Sequence, residues 1–145
     1  MAESAEFGHK EHEGHEAHEG TRRRRERLAA IVLDAGLAVH RALGPGLLES
    51  VYEQCLAHEL ATRGIPTKRQ IGLPVTYKDI RLEAGYRIDL LVDDLVVIEV
   101  KAVEALSRLH EAQILTYLRL TGLNLGFLLN FNVPLFRDGI RRFAL

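Results

Sequence analysis

An α/β fold is predicted by three features of the chain. Apolar residues recur at helical spacing up to about residue 63. Beyond Pro66 the pattern changes to alternating and β-branched runs, and a further helical stretch opens at Ser107 before strand-like runs return. The predicted order is α-α-β-β-β-α-β-β, without an internal repeat. At 145 residues and 47% hydrophobic content, the chain has the length of one domain and enough apolar side chains for a core.

The first helix is expected from Thr21 to about Leu43, where Ile31, Ala35, Ala38, Val39 and Ala42 return every three or four residues. The sequence LGPG (Leu43 to Gly46) ends it, because glycine accepts the left-handed C′ conformation and Pro45 has no N–H to extend the ladder. A second helix covers about Leu47 to Arg63, with Leu47, Leu48, Val51, Tyr52, Cys55, Leu56 and Leu60 as its apolar stripe. Cys55 lies within that stripe and reads as packing rather than as a nucleophile. Glu49 stands at the border of the stripe, with Glu53 a like-charged i,i+4 neighbour. Glu59 projects nearer the centre and calls for a structural partner at the helix end. Three strand runs follow, the last two separated by Asp93-Asp94. The third helix begins at the N-cap Ser107, ends at Gly122 and offers Leu109, Ala112, Leu115 and Leu118 or Leu120 as its apolar face. LNLGFLLNF and GIRRFAL supply the last two strands.

Residues 1–20 hold six glutamates and one lysine, with few apolar groups, and read as a disordered extension ahead of a domain over 21–145. His9, His12, His15 and His18 recur in it at every third position, a pattern open to weak zinc or nickel capture or to plain tail variation. The remainder carries eighteen basic and fourteen acidic residues, with RRRRER at Arg22 to Arg27. That run is compatible with an anionic partner and equally with a solvated helix face. One cysteine, no run of 18 apolar residues and no signal-peptide pattern lead to the expectation of a soluble cytoplasmic protein without disulfide or membrane span.

The stretch YRIDLLVDDLVVIEVKA (86–102) threads Asp89, Glu99 and Lys101 through an otherwise apolar hairpin. Burying an unpaired charge costs several kcal/mol, roughly, unless it is matched or binds an ion. Glu99 and Lys101 are two apart in a strand and emerge on one face. With Asp89 beside them, two carboxylates and an ammonium meet, which is equipment for holding Mg²⁺ or Mn²⁺ and activating a water against a phosphodiester. An ion pair of Lys101 with Glu99 or Asp89, without metal, fits the same pattern.

The sequence Gly46-Leu47-Leu48-Glu49-Ser50-Val51-Tyr52 resembles the name-giving motif of the GxxExxY proteins. The resemblance continues collinearly through YRIDLLV, VIEVKAVE, HEAQILTYLRLTG and GFLLNFNVPLFRDGIRR, over roughly residues 25–145. It implies the PD-(D/E)xK nuclease-like superfamily, with a restriction-endonuclease-like αβββαβ core and a central mixed sheet flanked by helices. It further implies catalytic roles for Glu49, Asp89, Glu99, Lys101 and Gln113. Asp89, Glu99 and Glu49 would serve as metal ligands for Mg²⁺ or Mn²⁺, with Tyr117 one turn beyond Gln113. Ile88 stands where the family pattern has proline. The function implied is a metal-dependent nuclease acting on DNA or RNA. The rival is a catalytically silent nucleic-acid-binding or oligomeric scaffold, and a metal-handling role for the His-rich tail is a third reading. A domain this small would draw sequence specificity from a homodimer or a partner protein.

A shared site also constrains the hairpin. A two-residue loop at Asp93-Asp94 pairs residue 89 with 98 and sets the carboxylates on opposite faces. A three-residue loop centred on Asp94, or a bulge, pairs 89 with 99 and is therefore expected. For the tail, deletion of residues 1–20 is expected to lower the thermal midpoint by less than about 5 °C, roughly a kcal/mol for a domain of this size. A zinc titration of the shortened protein separates tail capture from any other metal site.

Overall fold

The computed structural model describes the backbone of residues 2–145 and the side chains from residue 16 onward. Its elements run α1 (Ala2–Leu43), α2 (Glu49–Thr62), β1 (Thr67–Tyr77), β2 (Ile80–Val92), β3 (Val96–Lys101), α3 (Arg108–Thr121), β4 (Leu125–Asn130), a 3₁₀ turn (Phe136–Gly139) and β5 (Ile140–Ala144). The strands form one sheet in sequence order, antiparallel except for β3 and β4, which α3 joins as a parallel crossover. Three helices and a mixed five-stranded sheet give the α/β, restriction-endonuclease-like arrangement.

Two apolar layers sandwich the sheet. Leu28, Val32, Ala35 and Val39 of α1 pack with Tyr52, Leu56 and Leu60 of α2 onto Leu90, Ile98, Val100, Phe127 and Leu129. On the other face, Ile114, Tyr117 and Leu118 of α3 cover Ile88, Val97 and Leu128. A fully buried leucine or phenylalanine contributes about 1.5–3 kcal/mol, so both layers matter to stability.

Three sequence expectations need correction. First, α1 begins at Ala2, not Thr21. Alanine and glutamate favour helix, and adding residues to an existing helix bears no nucleation cost. His18 is exposed, whereas the side chains of His9, His12 and His15 lie outside the described residues. Second, α2 starts two residues late, leaving Leu47 and Leu48 exposed. Third, α3 turns Ile114, Tyr117 and Leu118 to the sheet, while Leu109 and Leu120 remain exposed. Of the apolar face expected for α3, Leu118 alone is fully buried on the sheet, while Leu109, Ala112 and Leu120 line an open cleft facing the β1–β2 ribbon.

The helix ends are set as expected. Ser107 Oγ accepts the His110 N–H, His110 Nδ1 accepts the Ser107 N–H, and Gly122 takes the left-handed C-cap conformation. Glu59 has Arg63 as its partner one turn on, at 3.5 Å. Among the described residues no helix is long and apolar enough to cross a membrane.

Asn130, at the end of β4, is buried and fixes the exit from β3. Its Oδ1 accepts the N–H groups of Val103 and Asn132, and its amide donates to the Val103 carbonyl. Gly139 passes so close that an added Cβ would lie 2.0 Å from the Asn130 carbonyl oxygen, whereas at Gly72 it would meet nothing within 4 Å. Backbone cannot rotate away as a side chain can. Gly139→Ala should therefore destabilise by about 2 kcal/mol or more, and Gly72→Ala by well under half of that, as read from urea midpoints.

Candidate active site

The hairpin register is the first element of the site. Leu90 pairs with Ile98, Leu91 with Val97 and Val92 with Val96, so the loop holds three residues and residue 89 stands opposite 99. Asp93 and Asp94 both adopt positive φ, and the Leu95 N–H closes the turn onto the Val92 carbonyl at 3.0 Å. Asparagine and aspartate tolerate this conformation better than other non-glycine residues. Arg24 of α1 binds the Asp93 carboxylate, and Lys68 of β1 binds that of Asp94 at 2.9 Å. The arginine run is thus more than a solvated face, since one member clamps the turn that sets the register.

The second element is a change of face. Leu90 and Val92 pack under α1 and α2, yet Ile88 packs under α3, although strict alternation would keep all three on one side. The switch falls at Asp89. Its neighbour across the β1–β2 pair, Gln70, drops out of the register between Arg69 and Ile71 and takes a φ of +53°. Past the Leu90–Ile98 pair, side chains replace the backbone ladder: Glu99 Oε1 accepts the Asp89 N–H at 3.1 Å, and Asp89 Oδ2 accepts the Val100 N–H at 2.8 Å.

Around this junction stand the other groups. Glu49 opens α2, exposed, and lines a cleft of about 370 Å³ with Glu53, Gln70 and Asp89. Glu53 is buried, held by Arg69 at 3.1 Å and by the Gln70 amide, which also lies 3.4 Å from Asp89 Oδ1. Lys101 is half-buried and emerges beside Glu99, but makes no ion pair within 4 Å among the described residues. On α3, Gln113 donates to the Tyr117 hydroxyl at 2.9 Å and makes no hydrogen bond to either carboxylate.

The electrostatics follow from this crowding. Burial, then the Asp89 charge, pushes the Glu99 carboxyl up to about 9, against the opposing Asp89 N–H and Lys101. Asp89 is also raised, by burial first and then by Glu53 and Glu49, while the Val100 N–H and Lys101 act the other way. Burial first, and then the charge of Glu99, raise the Tyr117 phenol, against the hydrogen bond from Gln113.

All residues assigned from sequence except Gln113 gather about the Asp89–Glu99 junction, and Gln113 reaches it through Tyr117. Glu53 and Gln70 were missed. Glu53 had a usable signal, since it stands one turn from Glu49 and beside the buried Tyr52. Gln70 had none, because nothing in the sequence announces a left-handed glutamine.

The raised carboxyl of Glu99 gives a sign for pH dependence. The folded protein holds that proton more tightly than the unfolded chain, so the contribution to stability is full below about pH 4.5 and is lost as pH rises through about 9. In EDTA the thermal midpoint of the protein should fall by roughly 5 °C or more across that range relative to Glu99→Gln, which cannot ionise. Added Mn²⁺ should restore the wild-type midpoint at the alkaline end and leave Glu99→Gln little changed.

Residues 26–143 match the family model described as the PD-(D/E)XK nuclease superfamily. No curated protein sequence and no solved structure matches the chain. The matched segment starts within α1, beyond the His-rich stretch, and contains every element of the sheet together with Glu49, Asp89, Glu99, Lys101 and Gln113. With that match over most of its length, the chain belongs to the PD-(D/E)XK nuclease superfamily.

Proposed function

We propose that the protein is a divalent-metal-dependent nuclease hydrolysing phosphodiester bonds in DNA or RNA. The observation that carries this reading is the Asp89–Glu99 pair: two neighbouring carboxylates, each pushed toward protonation by burial and then by nearby acidic groups (Glu53 and Glu49 at Asp89, Asp89 at Glu99), beside a lysine that makes no ion pair with either among the described residues. A structural ion pair would have drawn Lys101 onto one of them. The donor set suits a hard cation. Among the described residues no three His, Cys, Asp or Glu side chains converge as a ready-made cage, but Mg²⁺ is usually held by one or two carboxylates with water and phosphate oxygens completing the shell. A bound Mg²⁺ or Mn²⁺ would supply polarisation of the phosphoryl group and a more acidic attacking water.

The chain's own residues divide the remaining work. Asp89 and Glu99 present oxygens at the junction, held there by the Val100 and Asp89 N–H groups. Glu49, at the mouth of the cleft, orients water in the outer shell. Lys101 gives the scissile phosphate or the attacking water a donor and a positive charge. All of these groups come from one chain, so the site needs no second copy to be complete.

The test is cleavage of labelled single- and double-stranded DNA and RNA with Mg²⁺, Mn²⁺ or EDTA, with circular dichroism to confirm folding. Asp89→Asn is expected to lose both Mn²⁺ binding and at least about 100-fold in rate. Lys101→Ala should retain Mn²⁺ binding and lose a comparable factor, and Glu49→Gln should lose roughly 10- to 100-fold. Wild type that binds no divalent ion and cuts nothing would leave the silent-scaffold reading standing. Cutting that survives in all three folded variants would mean that the chemistry lies elsewhere.

A further inference from the structure

The distal half of the β1–β2 ribbon leaves the sheet and overhangs α3. Because the ribbon changes face at Gln70 and Asp89, its Val75, Leu82 and Tyr86 turn toward Leu109 and Leu120, and a cleft of about 620 Å³ opens between them. Its inner wall is the hydrogen-bonded Gln113–Tyr117 pair, and the Tyr117 phenol feels Glu99, Asp89 and Tyr86 together. Tyr117 also packs in one cluster with Ile88, the residue before Asp89, so the inner wall of the cleft adjoins the strand that carries the junction.

Its lining has a definite chemistry. None of the residues that line it is Lys, Arg, Asp or Glu, so it is not built for phosphate. Its walls are apolar, the Tyr86 ring is 48% exposed, and the Gln113 amide offers hydrogen bonds to a polar edge. A flat, uncharged heteroaromatic ring has these needs: a face to stack and an edge to pair. The volume lies within the range of about 300–1,000 Å³ usual for small-ligand clefts. A base inside a duplex is stacked and paired on every side and cannot enter, whereas an unpaired base can.

We infer that this cleft binds an unpaired nucleobase of the nucleic acid cut at the Asp89–Glu99 junction, stacked on Tyr86 and read by Gln113, so that the substrate is single-stranded or locally unpaired. The inference rests on the nuclease reading and narrows its substrate class. It also gives a use to the α3 leucines that the sheet leaves exposed.

The experiment measures binding of a fluorescent single-stranded DNA or RNA oligonucleotide and of a blunt duplex of equal length. It is done with Mn²⁺ in a Lys101→Ala background, where cutting is suppressed but the ion remains. Tyr86→Ala should weaken single-strand binding by roughly 5- to 20-fold, in the range of one base lost from an aromatic platform. Tyr86→Phe, which keeps the ring, should stay within about two-fold, and duplex binding should move no more than that. Equal losses on single strand and duplex, or no loss on either, would overturn the inference. So would sedimentation showing that Tyr86→Ala turns a dimer into a monomer, since the cleft would then belong to a second copy. A wild type that cuts while its single-strand binding ignores Tyr86 removes the base cleft and leaves the nuclease. A wild type that neither binds nor cuts removes both.

Discussion

Two carboxylates inside a sheet impose the constraint on which the rest of the site depends. Asp89 and Glu99 must face each other for either to be tolerable, because each satisfies a backbone N–H that the interrupted ladder leaves over. That arrangement follows from the loop. With positive φ at Asp93 and Asp94 and Leu95 as the added residue, the pairing of 90 with 98 continues to 89 opposite 99. A loop one residue shorter would place one carboxylate under α1 and the other under α3, each alone in an apolar layer. The clamps on the loop, Arg24 and Lys68, therefore act on the site from a distance by holding its register. Their direct energetic worth is small, as for most exposed ion pairs, but register admits no intermediate value.

The Gly-x-x-Glu-x-x-Tyr segment can be read physically in the same way. Gly46 takes a φ of +102°, a conformation that glycine accepts without strain. Tyr52 is buried, its hydroxyl accepts the Leu47 N–H at 3.1 Å and donates to the Gly44 carbonyl, and its ring stacks on Phe131 at 4.7 Å. The glycine and the tyrosine together fix how the chain leaves α1 and enters α2. The glutamate between them is the member with no structural partner of this kind, and it is the one delivered to the cleft. Phe131 follows Asn130, the register partner of Lys101. The Phe131 N–H donates to the Lys101 carbonyl at 2.9 Å, so the motif is joined through Phe131 to the strand end that carries the lysine.

The legible and the illegible parts of this molecule differ in kind. Element order, the caps at Ser107 and Gly122, and the parity of the hairpin depend on local period, local chemistry and integer counting, all carried by short stretches. The sequence calls for an odd loop or a bulge, and the loop supplies that parity; the face switch at Asp89 comes in addition. It cannot be read locally, because Ile88 and Leu90 are both apolar and look alike in a strand. Only the helices packed above and below distinguish them. The face of α3 has the same origin: Leu109 and Leu120 are apolar at helical spacing, but they stay exposed and look across a cleft onto a ribbon that changes face at the switch. The start of α1 at Ala2 is illegible for another reason: residues 2–20 have no apolar period, and alanine and glutamate extend a helix that already exists.

Charge balance explains why metal and substrate would depend on each other here. Glu49, Glu53 and Asp89 gather acidic groups at one cleft, and Arg69 is committed to Glu53. Lys101 alone offsets little of this against a phosphate, so a polyanion meets repulsion at the place where it must react. On the proposed reading a divalent cation would remove that repulsion, and the phosphate would add oxygens to a coordination shell that two carboxylates only half supply. Binding of each then favours the other by the same free energy, as linkage requires. The Asp89–Glu99 pair without an ion has a different resolution, retention of a proton, which the raised Glu99 carboxyl expresses. On the proposed reading, proton and metal would compete for one pair of carboxylates, and the buried, lysine-flanked geometry that makes the pair costly to fold is what would let it exchange one cation for the other.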